Sequence, residues 1–85
     1  MPFYIKQPIT IVEAYKITVN NIEELTKRMN GTEVVKRTDG SYVGIRMPAT
    51  SSLVASLGDY IIKKAPDVFY FCDGRVFEET YEVIS

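Results

Sequence analysis

The chain has no histidine and no tryptophan, and only one cysteine among its 85 residues. Without histidine it lacks the commonest general base and the commonest zinc ligand, and every Ser-His or Cys-His nucleophile pair is excluded. Cys72 has no partner for an intramolecular disulfide, and one thiol without imidazole cannot build a structural zinc site. Neither of the glycine-rich patterns that cradle phosphates, G-x-x-x-x-G-K-[ST] and G-x-G-x-x-G, occurs. Long apolar runs are missing too. The longest, such as Val68-Phe69-Tyr70-Phe71-Cys72, falls far short of the ~20 residues a membrane-spanning helix requires. The opening Met1-Pro2-Phe3-Tyr4-Ile5-Lys6 has neither the apolar stretch nor the small-residue cleavage site of a signal peptide, so the expected location is the cytoplasm, with no membrane partner. Neither sign of charge dominates: 10 basic and 11 acidic residues give a net charge of −1. A general nucleic-acid binder carries a basic excess, because its affinity comes from neutralising phosphates. A mimic of duplex DNA would carry a large acidic excess. Neither is expected here.

What is present fits a single small globular domain spanning residues 1–85. The apolar fraction of 46% argues against disorder. A chain of this size buries only about 60–65% of the surface its unfolded form exposes. At roughly 0.05–0.15 kcal/mol per residue, the net stability expected is on the order of 4–13 kcal/mol.

The order of elements follows from periodicity and turn chemistry. Residues 3–6 and 8–18 are rich in β-branched and aromatic side chains and read as a short strand, a break at Pro8 and a longer strand. In the longer strand Ile9 and Ile11 share one face, and Val12, Ala14 and Lys16 the other. Two apolar faces imply a strand covered on both sides or interrupted by a bulge. Ile22, Leu25 and Met29 then recur at helical spacing, with Asn20 or Asn21 as cap, Glu24 placed for a capping box, and Lys27 and Arg28 at the C-terminal end. This predicts one helix over about residues 22–30, stopped by Gly31 and too short to hold unless its stripe packs on a sheet.

Asp39-Gly40 signals a two-residue hairpin turn between strands over 32–38 and 41–47. That register sets Arg37 opposite Tyr42, Lys36 opposite Val43 and Val35 opposite Gly44. Val34, Val43 and Ile45 then face the core. Glu33, Val35, Arg37, Tyr42 and Arg46 face water. Pro48–Ser52 reads as a loop, and 53–57 as either a short strand or a turn. Strands at 60–64 and 68–72 flank a Pro66-Asp67 turn, and Asp73-Gly74 makes another tight turn. A helical turn near 75–79 and a short strand near 81–84 close the chain.

Three groups are candidates for chemistry or binding. Cys72 becomes reactive only if a nearby cation such as Arg75 lowers its pKa; otherwise it is a small buried hydrophobe. Asp59, Asp67, Asp73, Glu78, Glu79 and Glu82 can pair as acid and base or hold a hard cation, but their spacing is not that of an EF-hand loop, and a solvated edge is the simpler reading. The six tyrosines with the arginines and lysines form the third group. Tyr and Arg combine large contact area with directional bonds, which suits binding hot spots, and Tyr can stack a base while Arg clamps a phosphate. Arg37, Tyr42, Arg46, Tyr60, Lys63 and Arg75 are the candidate binding residues. Ordinary cross-strand packing is the competing account of each.

The segments Gly58-Asp59-Tyr60-Ile61-Ile62-Lys63, Phe69-Tyr70-Phe71-Cys72 and Phe77-Glu78-Glu79-Thr80-Tyr81-Glu82 resemble those of a group of small bacteriophage and prophage proteins with no assigned activity. The opening Tyr4-Ile5-Lys6-Gln7-Pro8-Ile9-Thr10-Ile11-Val12-Glu13-Ala14 is similar to the start of that group. The middle of the chain shows no resemblance. The turn at 65–68, Phe71 and the Asp73-Gly74-Arg75 turn depart from the group's pattern. The resemblance implies an accessory protein made in the cytoplasm of a host bacterium. With the small size and the missing catalytic apparatus, the expectation is a non-enzymatic protein that binds and modulates a host protein of defence or replication, without cofactor or metal. The alternative is a sponge for a nucleotide signal, in oligomeric form; a small enzyme using Glu, Tyr or Cys72 is the third. The fold expected is α+β, a bent antiparallel sheet or small barrel with one packed helix.

Overall fold

β-Branched and aromatic residues put most of the regular structure into strands, and two short amphipathic stretches into helices. The computed structural model describes residues 3–6, 10–29, 31–47, 54–66 and 68–83. Along the chain these form β1 (Phe3–Lys6), β2 (Thr10–Lys16), α1 (Ile22–Arg28), β3 (Glu33–Lys36), β4 (Tyr42–Arg46), β5 (Val54–Ser56), β6 (Tyr60–Ala65), β7 (Val68–Cys72), α2 (Gly74–Thr80) and β8 (Glu82–Val83). The class is α+β, but the sheet is neither single nor a barrel. Five strands lie in the order β7-β6-β2-β1-β8, and three in the order β3-β4-β5, all pairs antiparallel. A second helix also stands beside the one expected. The expected break at Pro8 and the loop at Pro48–Ser52 lie outside the described residues.

The five-stranded sheet is covered on both faces, the first of the two outcomes open to a strand with two apolar faces. Tyr15, Ile61 and Phe71 share one rung, and Lys63 pairs with Phe69 beside it. This face packs on Ile22, Leu25 and Met29 of α1 and on Ile45, Met47 and Ala55 of the smaller sheet. Ala14, Ile62, Tyr60 and Val12 point the other way, onto Phe77 of α2. Each fully buried Ile or Phe is worth about 1.5–3 kcal/mol of transfer free energy, and Ile17, Ile22, Ile45, Ile61 and Phe77 are all fully buried.

Three local expectations are corrected. Asn21 stands at the N-cap of α1 but makes no side-chain cap bond. Its Oδ1 accepts from the Thr18 N–H at 2.8 Å and its Nδ2 donates to the Lys16 carbonyl at 2.8 Å, so it staples the turn out of β2 instead. Glu24 is drawn to Arg28 one turn on, at 3.0 Å, and forms no capping box. Asp73-Gly74 is not a tight turn but the start of α2: the Asp73 carboxylate accepts from the N–H groups of Arg75 and Val76.

A fourth correction is in the β3–β4 hairpin. Only Gly40 takes a positive φ, +90°, and Asp39 does not, so a two-residue turn with both central residues left-handed is not formed. Gly40 N–H instead bonds the Arg37 carbonyl at 2.9 Å, and Arg37 N–H the Ser41 carbonyl at 2.8 Å. Glu33, Val34 and Val35 pair with Arg46, Ile45 and Gly44 as expected, but Lys36 pairs with Tyr42, so Val43 is an extra residue in β4. Because strand side chains alternate with a period of two, one inserted residue moves everything beyond it to the opposite face. Tyr42 therefore joins Val34 on the core side, against α1, and leaves the face expected to be wet.

Candidate functional site

Two regions gather the polar and aromatic side chains. The first lies under α2. The Phe77 ring stacks on Tyr60 at 4.1 Å and on Tyr81 at 4.5 Å, and meets Tyr4 edge-on at 4.9 Å. The Tyr60 hydroxyl donates to Glu78 Oε2 at 2.8 Å, and Lys16 Nζ reaches the same oxygen at 3.2 Å. Burial first, and the bond to Glu78 next, push the Tyr60 phenol well above its usual range. The Tyr60 and Lys16 bonds hold the Glu78 carboxyl below the ordinary carboxylate value.

Beside this cluster, an open cleft of about 630 Å³ is lined by Lys16, Leu57, Gly58, Asp59, Asp73, Gly74, Arg75, Glu78 and Glu79. Three of its four acids are committed to the fold. Asp59 accepts from Gly74 N–H at 2.9 Å and from Ser56 N–H at 3.0 Å, which ties the β5–β6 turn to the start of α2. Asp73 caps α2, and Glu78 holds Tyr60 and Lys16. Among the described residues no three acidic or thiol side chains stand where they could hold a metal ion. Burial raises the Cys72 pKa, and the charges of Asp73 and Asp59 raise it further, so Cys72 rests as a thiol.

The phenol of Tyr60 sets a pH dependence. Its proton is held more tightly in the folded chain than in the unfolded one, so its contribution to stability is complete below the unfolded value of about 10 and is lost as pH rises above it. The denaturation midpoint is expected to fall as buffers pass that value, and Tyr60→Phe to flatten the fall. An equally steep alkaline limb in Tyr60→Phe would assign it to other groups.

The second region is a groove of about 320 Å³ between α1 and the β6–β7 hairpin. Leu25, Met29, Tyr15, Phe69 and Pro66 give it apolar walls, with Arg28 and Lys63 at its rim. Helical spacing delivers Leu25, Arg28 and Met29 from successive turns, and the cross-strand register sets Lys63 beside Phe69. The charged side chains that line it, Arg28 and Lys63, are both cations. Arg28 pairs with Glu24 at 3.0 Å and lies over the Tyr15 ring at 5.9 Å. The Tyr15 hydroxyl donates to Glu13, which raises the Tyr15 pKa.

The six candidate binding residues do not form one site. Tyr60 is in the aromatic cluster, Arg75 at the open cleft and Lys63 at the groove. Tyr42 bonds Glu23 of α1 at 2.8 Å, with Lys36 Nζ 5.0 Å above its ring. Arg46 approaches Glu33 at 3.4 Å, too poorly aimed for a hydrogen bond, and its Nε is otherwise unbonded. Arg37 is exposed at the hairpin turn. The expected Arg37-Tyr42-Arg46 grouping is therefore split by the bulge. Of the groove residues only Lys63 was legible in the sequence. Arg28, Tyr15 and Phe69 come together through the packing of α1 on the sheet. Pro66 at the hairpin turn was the one local signal that Phe69 folds back beside Lys63. No helix among the described residues is long and apolar enough to cross a membrane. Comparison with protein-family models, curated proteins and solved structures yields no match.

Proposed function

We propose that this chain is a non-catalytic binding protein, acting in the cytoplasm of a host bacterium, that docks a host protein of defence or replication through the groove beside α1. The observation that carries this reading is the groove's make-up: apolar walls edged by two cations, one of which, Arg28, is paired with Glu24. A protein–protein interface has that anatomy, with an apolar centre and a polar edge, and aromatic and arginine anchors dominate its energy. The occupant that fits is an apolar side chain of the partner, flanked by an acid that reaches Lys63. The titratable groups support binding over chemistry: Tyr60 and Cys72 are shifted up and Glu78 down, each away from neutrality, where a general acid or base works best.

A second reading, a nucleotide-signal sponge, draws on the same residues. Phe69 and Tyr15 offer ring faces, and Arg28 and Lys63 offer cations. The Glu24 partner of Arg28 weighs against it, since a phosphate would compete with a carboxylate already in place.

The test is capture of host proteins on the tagged chain, repeated with the double variant Arg28→Glu/Lys63→Glu and with Arg37→Glu as control. A partner retained by the wild type and the control, and lost at least tenfold by the double variant, is the expected result; tenfold is about 1.4 kcal/mol. Retention by all three would remove the groove as the docking site. A thermal shift with nucleotides that the double variant abolishes would move the assignment to the sponge.

A further inference from the structure

Sheet edges are open templates for another strand, and proteins guard them with charge, proline, bulges or shortness. Among the described residues three of the four edges are guarded. β8 is two residues with Glu82, β5 is three residues, and β3 carries Glu33 and Lys36. β7 is not guarded. Among the described strands it ends the larger sheet and pairs only with β6; it runs for five residues and carries no charge. Val68 and Tyr70 are 41% and 53% exposed along it.

We infer that β7 pairs with β7 of a second copy of this chain, antiparallel about a two-fold axis, joining two five-stranded sheets into one of ten strands. The sequence of the strand is what selects a second copy. A two-fold axis through the middle residue sets Tyr70 against the partner's Tyr70, Phe69 against the partner's Phe71, and Val68 against the partner's Cys72. Any charge in a self-pairing strand near its axis would meet its like across it, at a cost, and β7 has none. Cross-strand aromatic pairs are among the more favourable. Phe69 also lines the groove beside α1, so the dimer sets two grooves on either side of its axis. The pairing does not depend on what occupies them. A contact of one edge strand and its flanks lies at or below the low end of stable interfaces, which bury about 1,200–2,000 Å². A concentration-dependent dimer in the micromolar range is therefore expected.

Sedimentation equilibrium of the full chain over a concentration series tests this. The wild type is expected to rise from 9.7 kDa toward twice that mass. Tyr70→Lys places two ammonium groups on the axis and should stay monomeric with an unchanged circular dichroism spectrum. Val68→Lys serves the same purpose should Tyr70→Lys fail to fold. Val83→Lys, on the opposite edge and 64% exposed, should dimerise as the wild type does. In a Cys72→Ser background, Tyr70→Cys should cross-link to a disulfide dimer under mild oxidation. A wild type that remains at 9.7 kDa up to millimolar concentration overturns the proposal. So does a dimer that survives both lysine variants of β7.

Discussion

Phe77→Ala is expected to lower stability by about 3–5 kcal/mol, the range for removing a buried phenylalanine. The ring is fully buried and is the hub of its cluster, stacked on Tyr60 and Tyr81 and edge-on to Tyr4. Aromatic pairs add about 0.5–1.5 kcal/mol each beyond area, and no neighbouring element is free to collapse into the hole, since Ala14 and Ile62 are fixed in the sheet below. Against a total of roughly 4–13 kcal/mol, the loss is a large part of what holds the chain folded. In a domain of this size each 1 kcal/mol shifts the melting temperature by about 4–8 °C. A calorimetric scan should therefore show a drop of more than about 12 °C. A drop smaller than a third of that would mean α2 contributes little to the fold.

Gly74→Ala should cost about 3 kcal/mol, at the upper end of overpacking costs. A Cβ at Gly74 would lie 2.1 Å from the carbonyl oxygen of Gly58 and 3.0 Å from its carbon. Both are backbone atoms and neither can rotate away. The helix would have to lift off the β5–β6 turn, stretching the 2.9 Å bond from Gly74 N–H to Asp59. Gly40→Ala is the control. Its φ of +90° strains an alanine, but nothing lies within 4 Å of the added carbon, so the cost should stay at about 1–2 kcal/mol. Urea titration of the two variants separates the effects. Equal midpoints would sink the close-contact account and leave only conformational strain.

The chain shows where local signals suffice. The stripe of Ile22, Leu25 and Met29 is buried as its spacing requires. The two apolar faces of β2 allow cover on both sides or a bulge, and the five-stranded sheet has the cover. The β6–β7 pairing follows from two β-rich runs joined at a proline turn. The helical turn near 75–79 grew into α2 because Asp73 has the right geometry to cap it. Gly58-Asp59 has a structural reason: Asp59 ties three segments together.

Where the reading failed, several nearby partners competed for one group. Asn21 can cap α1 or close the turn after β2, and the strand-end geometry brings the Lys16 carbonyl and Thr18 N–H within its reach. Asp-Gly fits either a two-residue turn or a longer one with a bulge, and the pull of Tyr42 toward α1 goes with the second. That one residue decided which face Tyr42 takes and broke up the arginine–tyrosine grouping.

By itself the sequence determined most of the elements and their order, the core stripe of α1 and the absence of imidazole chemistry, because each depends on residues a few positions apart or on composition alone. Only the tertiary structure decided that the strands divide between two open sheets, that Arg28 meets Tyr15 and Lys63 at a groove, and that β7 is left as an uncharged edge. Those outcomes depend on which distant strands pair and in what register, and many registers satisfy the same local pattern until packing on both faces selects one.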